Sequence, residues 1–250
     1  MRTERRLGLT FIAAVIFMCA GCGPLVPSAP EPMRPVAQFV APEKEYAIKV
    51  FDPLERVNRL VYQFNYYFDV YLFLPAVDGY RRVMPDYAED RVSNFFDNVL
   101  EINNLVNCIL QLKPKATGIT AARLVVNSTV GVLGLWDPAT GWGLSRQEED
   151  LGQTLGYYGI GNGPYLVLPV LGPSNLRDAI GKAGDIWIFN EIDPFNFENN
   201  SFLLPLTYGT LNAIDTRKRT PFRYYRSGSP FEYEWIRLLY TEKRFLQIMQ

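Results

Sequence analysis

Between Leu151 and Asp178 the chain reads Leu-Gly-Gln-Thr-Leu-Gly-Tyr-Tyr-Gly-Ile-Gly-Asn-Gly-Pro-Tyr-Leu-Val-Leu-Pro-Val-Leu-Gly-Pro-Ser-Asn-Leu-Arg-Asp, with no charge before Arg177. Gly156, Gly159, Gly161, Gly163 and Gly172 free the backbone for turns at positive φ, and proline fixes φ and removes a donor. A helix is therefore not expected across Gly156 to Pro164. Tyr165–Leu171 is apolar but far too short to span a bilayer as a helix. Such a segment has two uses. It is a buried core loop, or it is an apolar element that rests against lipid, and the residues alone leave both open.

Composition narrows the chemistry around it. The chain has 250 residues, enough for one domain or two small ones, and a net charge of −1, which gives no electrostatic case for nucleic acid. It contains no histidine. That removes the commonest general base, the commonest zinc ligand and every Ser-His-Asp or Cys-His arrangement. Of the cysteines, Cys19 and Cys22 fall in the N-terminal segment. Cys108 lies in an apolar stripe and reads as a small buried hydrophobe.

The first residues read as an address. Arg2, Arg5 and Arg6 precede an uncharged run from Leu7 to Cys22, the pattern of a secretory signal peptide over residues 1–21. Its end, Met18-Cys19-Ala20-Gly21-Cys22, resembles a bacterial lipobox, with Cys19 where Leu is usual. Cys22 is thus the expected lipid attachment site, and two or more acyl chains make anchoring durable. Gly23 rather than Asp follows it, which in lipoproteins of this kind leans toward the outer membrane. Residues 22–51 hold six prolines and read as an extended linker.

Beyond the linker the chain reads as mainly helical. Asp52-Pro53-Leu54-Glu55 is a capping pattern, with Asp52 as N-cap, and apolar residues recur at Leu54, Val57, Leu60, Val61, Phe64, Phe68 and Tyr71. This helix is expected to end before Pro75. A second runs from about Asp86 to Leu112, with Val92, Phe95, Val99, Ile102, Val106 and Ile109 as its stripe. Its other face carries Asn94, Asn98, Asn103, Asn104 and Asn107, unusual in a helix. Those amides either bond to neighbouring loops or form an uncharged polar wall past which a headgroup moves. Further helices are expected from Lys113 to Ser128, from a Ser174 cap to Ile180, and over Leu203–Arg217. A last one, Glu232 to Met249, has Trp235, Leu238, Leu239, Phe245, Leu246 and Met249 on its apolar face. Carboxylate pairs such as Glu148 with Glu149, or Asp86 with Glu89, have the chemistry for acid–base work but sit where helix caps and solvated helix starts are common. No catalytic, cofactor or metal motif is read; Gly159-Ile-Gly161-Asn-Gly163-Pro164 departs from a dinucleotide fingerprint at Pro164.

Several stretches together resemble one family. Asp52–Arg59, Val92–Asn98, Asn104–Gln111, Val126–Gly131, Glu149–Gly156, Gly161–Pro169, Gly172–Asp178 and Ala213–Arg217 are similar, in unbroken order, to motifs of the MlaA (VacJ) outer-membrane lipoproteins. The resemblance covers about residues 51–219, which makes 52–219 the helical domain and 220–250 an amphipathic helical tail. It implies an all-α, ring-like body seated in the inner leaflet of the outer membrane around an amphipathic channel. It implies a role in removing mislocalised phospholipids from the outer leaflet and passing them to a periplasmic lipid carrier, with trimeric porins as membrane partners and no enzymatic step. On this reading Gly156, Gly159, Gly161, Gly163 and Pro164, with Asn94 and Asn98 beside them, form the channel wall. The competing expectations are a structural lipoprotein that scaffolds porins without moving lipid, and an envelope hydrolase.

Overall fold

A computed structural model describes residues 50–249, so Cys22, the signal segment and nearly all of the linker lie outside the described residues. The described chain is mainly helical, as its periodicity implies. Helix α1 (Glu55–Phe68) continues through a π-helical segment (Asp69–Phe73) into α2 (Leu74–Val83). Pro75 therefore does not end the helix: the local π geometry precedes it, and Pro75 sits in the first turn of α2. Then follow α3 (Asp86–Leu110), α4 (Pro114–Thr129), the short α5 (Pro138–Gly141) and α6 (Leu151–Tyr157). Strands β1 (Tyr165–Leu168) and β2 (Gly172–Asn175) make an antiparallel hairpin pairing Tyr165 with Asn175 and Leu168 with Gly172. The helices α7 (Leu176–Ile192), α8 (Leu203–Arg219) and α9 (Glu232–Ile248) complete it. No helix of the described residues is long and apolar enough to cross a membrane.

Two boundaries differ from the sequence expectation. Asn175, not Ser174, caps α7, accepting the Asp178 amide at 2.8 Å, and the helix runs on to Ile192. Asp52 does not cap α1. Its carboxylate instead accepts from Asn58 at 2.8 Å, the Tyr233 hydroxyl at 2.6 Å and Arg237 at 3.0 Å, so it ties the start of the domain to α9.

The larger departure concerns which helix faces are buried. On α1 the buried residues are Asn58, Tyr62 and Asn65, while Val57, Leu60 and Phe64 of the apolar stripe are exposed. On α9 the buried residues are Glu232, Tyr233, Arg237 and Arg244, and Trp235, Leu239, Phe245, Leu246 and Met249 face outward. Helix α4 buries Thr120, Arg123 and Asn127. Among the described residues, buried polar and charged side chains outnumber buried apolar ones, the reverse of a water-soluble core. Cys108 is one of the apolar few, fully buried, as its stripe implies.

A buried polar interior is stable only when its groups are paired. Asn58 donates to Tyr165 O at 3.0 Å and accepts from Val167 N at 2.9 Å; one heptad on, Asn65 donates to Leu168 O and accepts from Val170 N. Two asparagines thus satisfy the free edge of β1 as a third strand would. Helices α6 and α7 cross closely because Gly152 and Gly181 meet: a Cβ on Gly181 would lie 2.3 Å from Gly152 N. Gly181→Ala should therefore lower stability by about 1–3 kcal/mol. Gly118→Ala, on an exposed face of α4 with nothing within 4 Å, should leave it unchanged or raise it by about 0.5–1 kcal/mol. Thermal unfolding of the detergent-solubilised protein checks both.

Candidate functional site

One guanidinium organises the middle of the molecule. Arg244 on α9 bonds Asp178 through Nε at 2.8 Å and Asp150 through Nη1 at 2.7 Å, with Nη2 reaching a second oxygen of each. Asp150 also caps α6, accepting the Gln153 amide at 2.8 Å. Asp178 accepts from Arg177, Asn175 and the Tyr240 hydroxyl as well. Burial alone pushes both carboxyls up, but the Arg244 hydrogen bonds and charge outweigh it and hold both below the usual carboxylate range. A parallel network joins α3 to α4: Arg123 bonds buried Glu101 at 2.7 Å, Asp137 at 3.2 Å and the Leu144 carbonyl at 2.6 Å.

Beside the Arg244 cluster opens a cavity of about 540 Å³, walled by α3, the loop before α6, α7, α8 and the end of α9. Its wall carries both signs of charge: Arg146, Lys182 and Arg219 against Asp97, Glu148, Glu149, Asp150 and Asp185. Leu100, Leu171 and Ile186 add apolar, exposed side chains to it. A second cavity of about 930 Å³, lined by Lys113, Lys115, Ile119 and Gly143 among others, shares Arg146, Glu148, Glu149 and Gln247 with the first. The two therefore adjoin through a common wall. Most of its charges are already spent. Asp97 pairs with Arg146 and Arg219, and Glu149 with Lys113. Lys182 is different: the acids acting on it, Asp150 and Asp178, are both held by Arg244, and burial, then Arg244, keep its ammonium below its ordinary value. Asn103 Oδ1 and Arg146 Nε, also on the wall, make no hydrogen bond among the described residues.

The sequence-derived site residues lie elsewhere. Gly159, Gly161, Gly163 and Pro164 form the turn between α6 and β1, and Gly156 packs against Ile248 and Arg177 at the end of α6. Gly159 and Gly163 use positive φ, and Gly161 faces open space. None of them lines either cavity. Asn94 and Asn98 hold the turn after α4, donating to Leu135 O at 3.2 Å and Ser128 Oγ at 3.0 Å. Asn103 and Asn104, from the same amide face, do reach the cavity. The charged run Arg146–Asp150 supplies much of the wall, although by sequence it reads as a solvated helix start. Of the paired carboxylates, Glu149 is bound by Lys113 and Gln111, and Glu89 is buried against Lys218, which explains them as ion-pair partners. Among the described residues no group of His, Cys, Asp or Glu is placed to hold a metal.

Outward leucines and isoleucines, an ionic interior and a cavity of mixed polarity define a class: a mainly helical protein with an apolar exterior around a polar, ion-paired interior. All four tryptophans, Trp136, Trp142, Trp187 and Trp235, are exposed, as expected of a water–lipid boundary. A model of the MlaA lipoprotein family matches residues 50–247, and the chain belongs to that family. The match includes α9, beyond the stretch whose motifs stand out by eye. The intermembrane phospholipid transport system lipoprotein MlaA of Escherichia coli (strain K12) is 38% identical over 138 residues, 54% of this chain and 55% of that protein. An uncharacterized protein of Rickettsia felis is 40% identical over 168 residues, covering 67% of this chain and 61% of its own. The chain thus spans about half to three-fifths of the length of the curated relatives it matches. A solved structure described as the structural basis for maintenance of bacterial outer membrane lipid asymmetry superposes with a TM-score of 0.62. It is 29% identical, and the match covers 79% of this chain and 98% of that one.

Two outcomes follow from the Arg244 cluster. Arg244→Met leaves half-buried Asp150 without an ion-pair partner and buried Asp178 with Arg177 alone, and should destabilise by about 1.5–3 kcal/mol, measured by denaturant unfolding. Because Asp150 and Asp178 have depressed folded-state values, their contribution is fully present above the unfolded carboxylate range and is lost as pH falls through their folded values. The unfolding midpoint should therefore drop below about pH 4, and less steeply in Asp178→Asn.

Proposed function

We propose that this chain is an outer-membrane lipoprotein that removes mislocalised phospholipids from the outer leaflet and passes them to a periplasmic carrier, so maintaining lipid asymmetry. The observation that carries the reading is the inverted body beside a cavity of mixed polarity: apolar side chains rest in acyl chains, and the charged wall accompanies a headgroup. A zwitterionic headgroup carries both signs, and so does the wall. Lys182 is the cation left to meet a phosphate, while exposed Glu148, in no ion pair among the described residues, offers an acceptor to an ammonium. Such transfer breaks no covalent bond and needs no acid–base residue.

In the same proposal Cys22 carries the lipid anchor, a trimeric porin is the membrane partner, and the body sits in the inner leaflet with its helices parallel to the interface. The turn containing Gly156, Gly159, Gly161, Gly163 and Pro164, and the amides Asn94 and Asn98, shape the body beside the path. Relatives named for intermembrane phospholipid transport support this reading.

The test labels outer-leaflet phosphatidylethanolamine in intact cells with a membrane-impermeant amine reagent. Deletion of the gene should raise labelling several-fold, and wild type should restore it. Cys22→Ala and Lys182→Glu should not, with protein levels unchanged. Gly161→Trp has open space to fit: unchanged removal leaves that turn beside the path, and lost removal puts it on the path. Equal labelling with and without the gene supports a scaffold for porins instead.

A further inference from the structure

Between α4 and α5, Val132 and Leu133 hold positive φ angles of 50° and 58°, and Gly134 follows at 87°. A left-handed conformation is uncommon for a residue with a Cβ and an outlier for a β-branched one, so this turn persists only because its surroundings impose it. Leu133 N bonds Ser128 O at 2.9 Å, Gly134 N bonds Asn127 O at 2.8 Å, and Trp136 N bonds Gly131 O at 3.0 Å. From α3, Asn94 donates to Leu135 O at 3.2 Å, and Asn98 packs so tightly on Gly134 that an added Cβ would lie 2.4 Å from its own. The strain does not serve burial. Val130, Val132 and Leu133 are all exposed, Leu133 by 70%. An apolar point is held outward.

At the foot of this turn stands an arginine of a different kind from the rest. The Arg91 guanidinium lies 4.8 Å from the ring centre of Tyr87, one turn back on α3, and 5.6 Å from that of Trp136. Both rings are themselves exposed. Among the described residues, each other buried or half-buried arginine meets a carboxylate or carbonyl oxygen. Arg91 meets rings alone. Its Nε is shut away from solvent with no acceptor, and its two Nη groups bond no oxygen either but are not shut away. Asp137, next to Trp136, is held by Arg123, Asn127 and Thr140. Asp86 and Asp90, exposed on the first turns of α3, form no ion pair among the described residues.

A guanidinium stacked on aromatic faces keeps its N–H edge for a planar acceptor, and phosphate oxygens accept two such donors at once. Tyr and Trp rings suit the boundary where headgroups sit, and Leu133 and Val132 beside them suit the acyl chains below. We propose that Arg91, Tyr87 and Trp136 bind the phosphate of a zwitterionic phospholipid, whose chains lie along the strained turn at Val132 and Leu133. Asp86 and Asp90 repel a bare phosphate ion, whereas a headgroup that brings its own ammonium is tolerated. The proposal rests on the membrane setting proposed above. None of its residues lines the transport cavity, so a lipid held here fixes the body at its depth without being cargo.

The experiment reads Trp136 itself. In the full lipidated chain the other tryptophans, all exposed, are replaced (Trp142→Phe, Trp187→Phe, Trp235→Phe), and Trp136 fluorescence is titrated in non-ionic detergent at constant ionic strength. Dihexanoyl-phosphatidylethanolamine should change it saturably. Dihexanoylglycerol, with the same chains and no phosphate, should not, and inorganic phosphate should bind at least about tenfold more weakly than the phospholipid. Arg91→Gln should weaken phospholipid binding about tenfold. Should that variant not fold, Tyr87→Ala, which removes an exposed ring, should weaken it about threefold. No saturable change with phospholipid, an equal response to the diglyceride, phosphate binding as tight as the phospholipid's, or unaltered affinity in the Arg91 or Tyr87 variant overturns the proposal. The readout is local to Trp136, so failure of lipid removal in cells counts against the transport reading alone, and failure here leaves that reading standing.

Discussion

A single arginine shared by two carboxylates, Arg244 between Asp150 and Asp178, is the contact on which the rest of the body depends. It joins the last helix to the cap of α6 and the first turn of α7, and so sets the position of the cavity wall between them. Seven and eleven residues earlier on α9, Arg237 and Tyr233 reach Asp52 at the start of the described domain. The last helix therefore closes the domain from its first residues to its middle. Burying such charges is favourable only when every partner is present, and removing one leaves the others stranded.

That arrangement follows from where the apolar residues go. In water, exposing Leu60, Leu239 and Phe245 would be unfavourable, and a core of Asn, Arg and Asp would gain little over solvation. Against acyl chains the balance reverses. In the proposed membrane setting lipid covers the aliphatic faces, and the polar groups must find partners inside because lipid offers none. An ionic interior and an apolar exterior are two results of the same solvent. A cavity formed within such an interior inherits charge of both signs, and one that opens at the surface also inherits leucines and isoleucines. The proposed lipid path thus arises from the packing itself.

Helix content was legible in the sequence because apolar residues recur at helical spacing, and the hairpin region was legible as non-helical because of its glycines and prolines. The direction of each helix was not. Hydrophobic periodicity marks which residues share a face and says nothing of whether that face meets a core or a bilayer. A second periodicity was present: Asn58, Tyr62, Asn65 and Asp69 share the spacing of Tyr233, Arg237, Tyr240 and Arg244, and both sets are turned inward. Asn103 and Asn104 follow from the amide face already noticed, both between one and two turns beyond Asn98. Lys182 and Arg146 carry no local signal, since a lysine in a helix and an arginine in an acidic run are ordinary surface residues.

By itself the sequence determined the helices, the break after α6 and the family resemblance, because each rests on local spacing or on ordered motifs. The tertiary structure decided that the helices turn their polar faces inward. It also decided that Asp52 bonds to α9 rather than capping α1, and that the cavity is lined by Arg146, Lys182 and Asp185 rather than by the glycine turn. These choices depend on which charge finds which partner across more than a hundred residues of chain. Only the assembled interior can settle that, because an ion pair has no period.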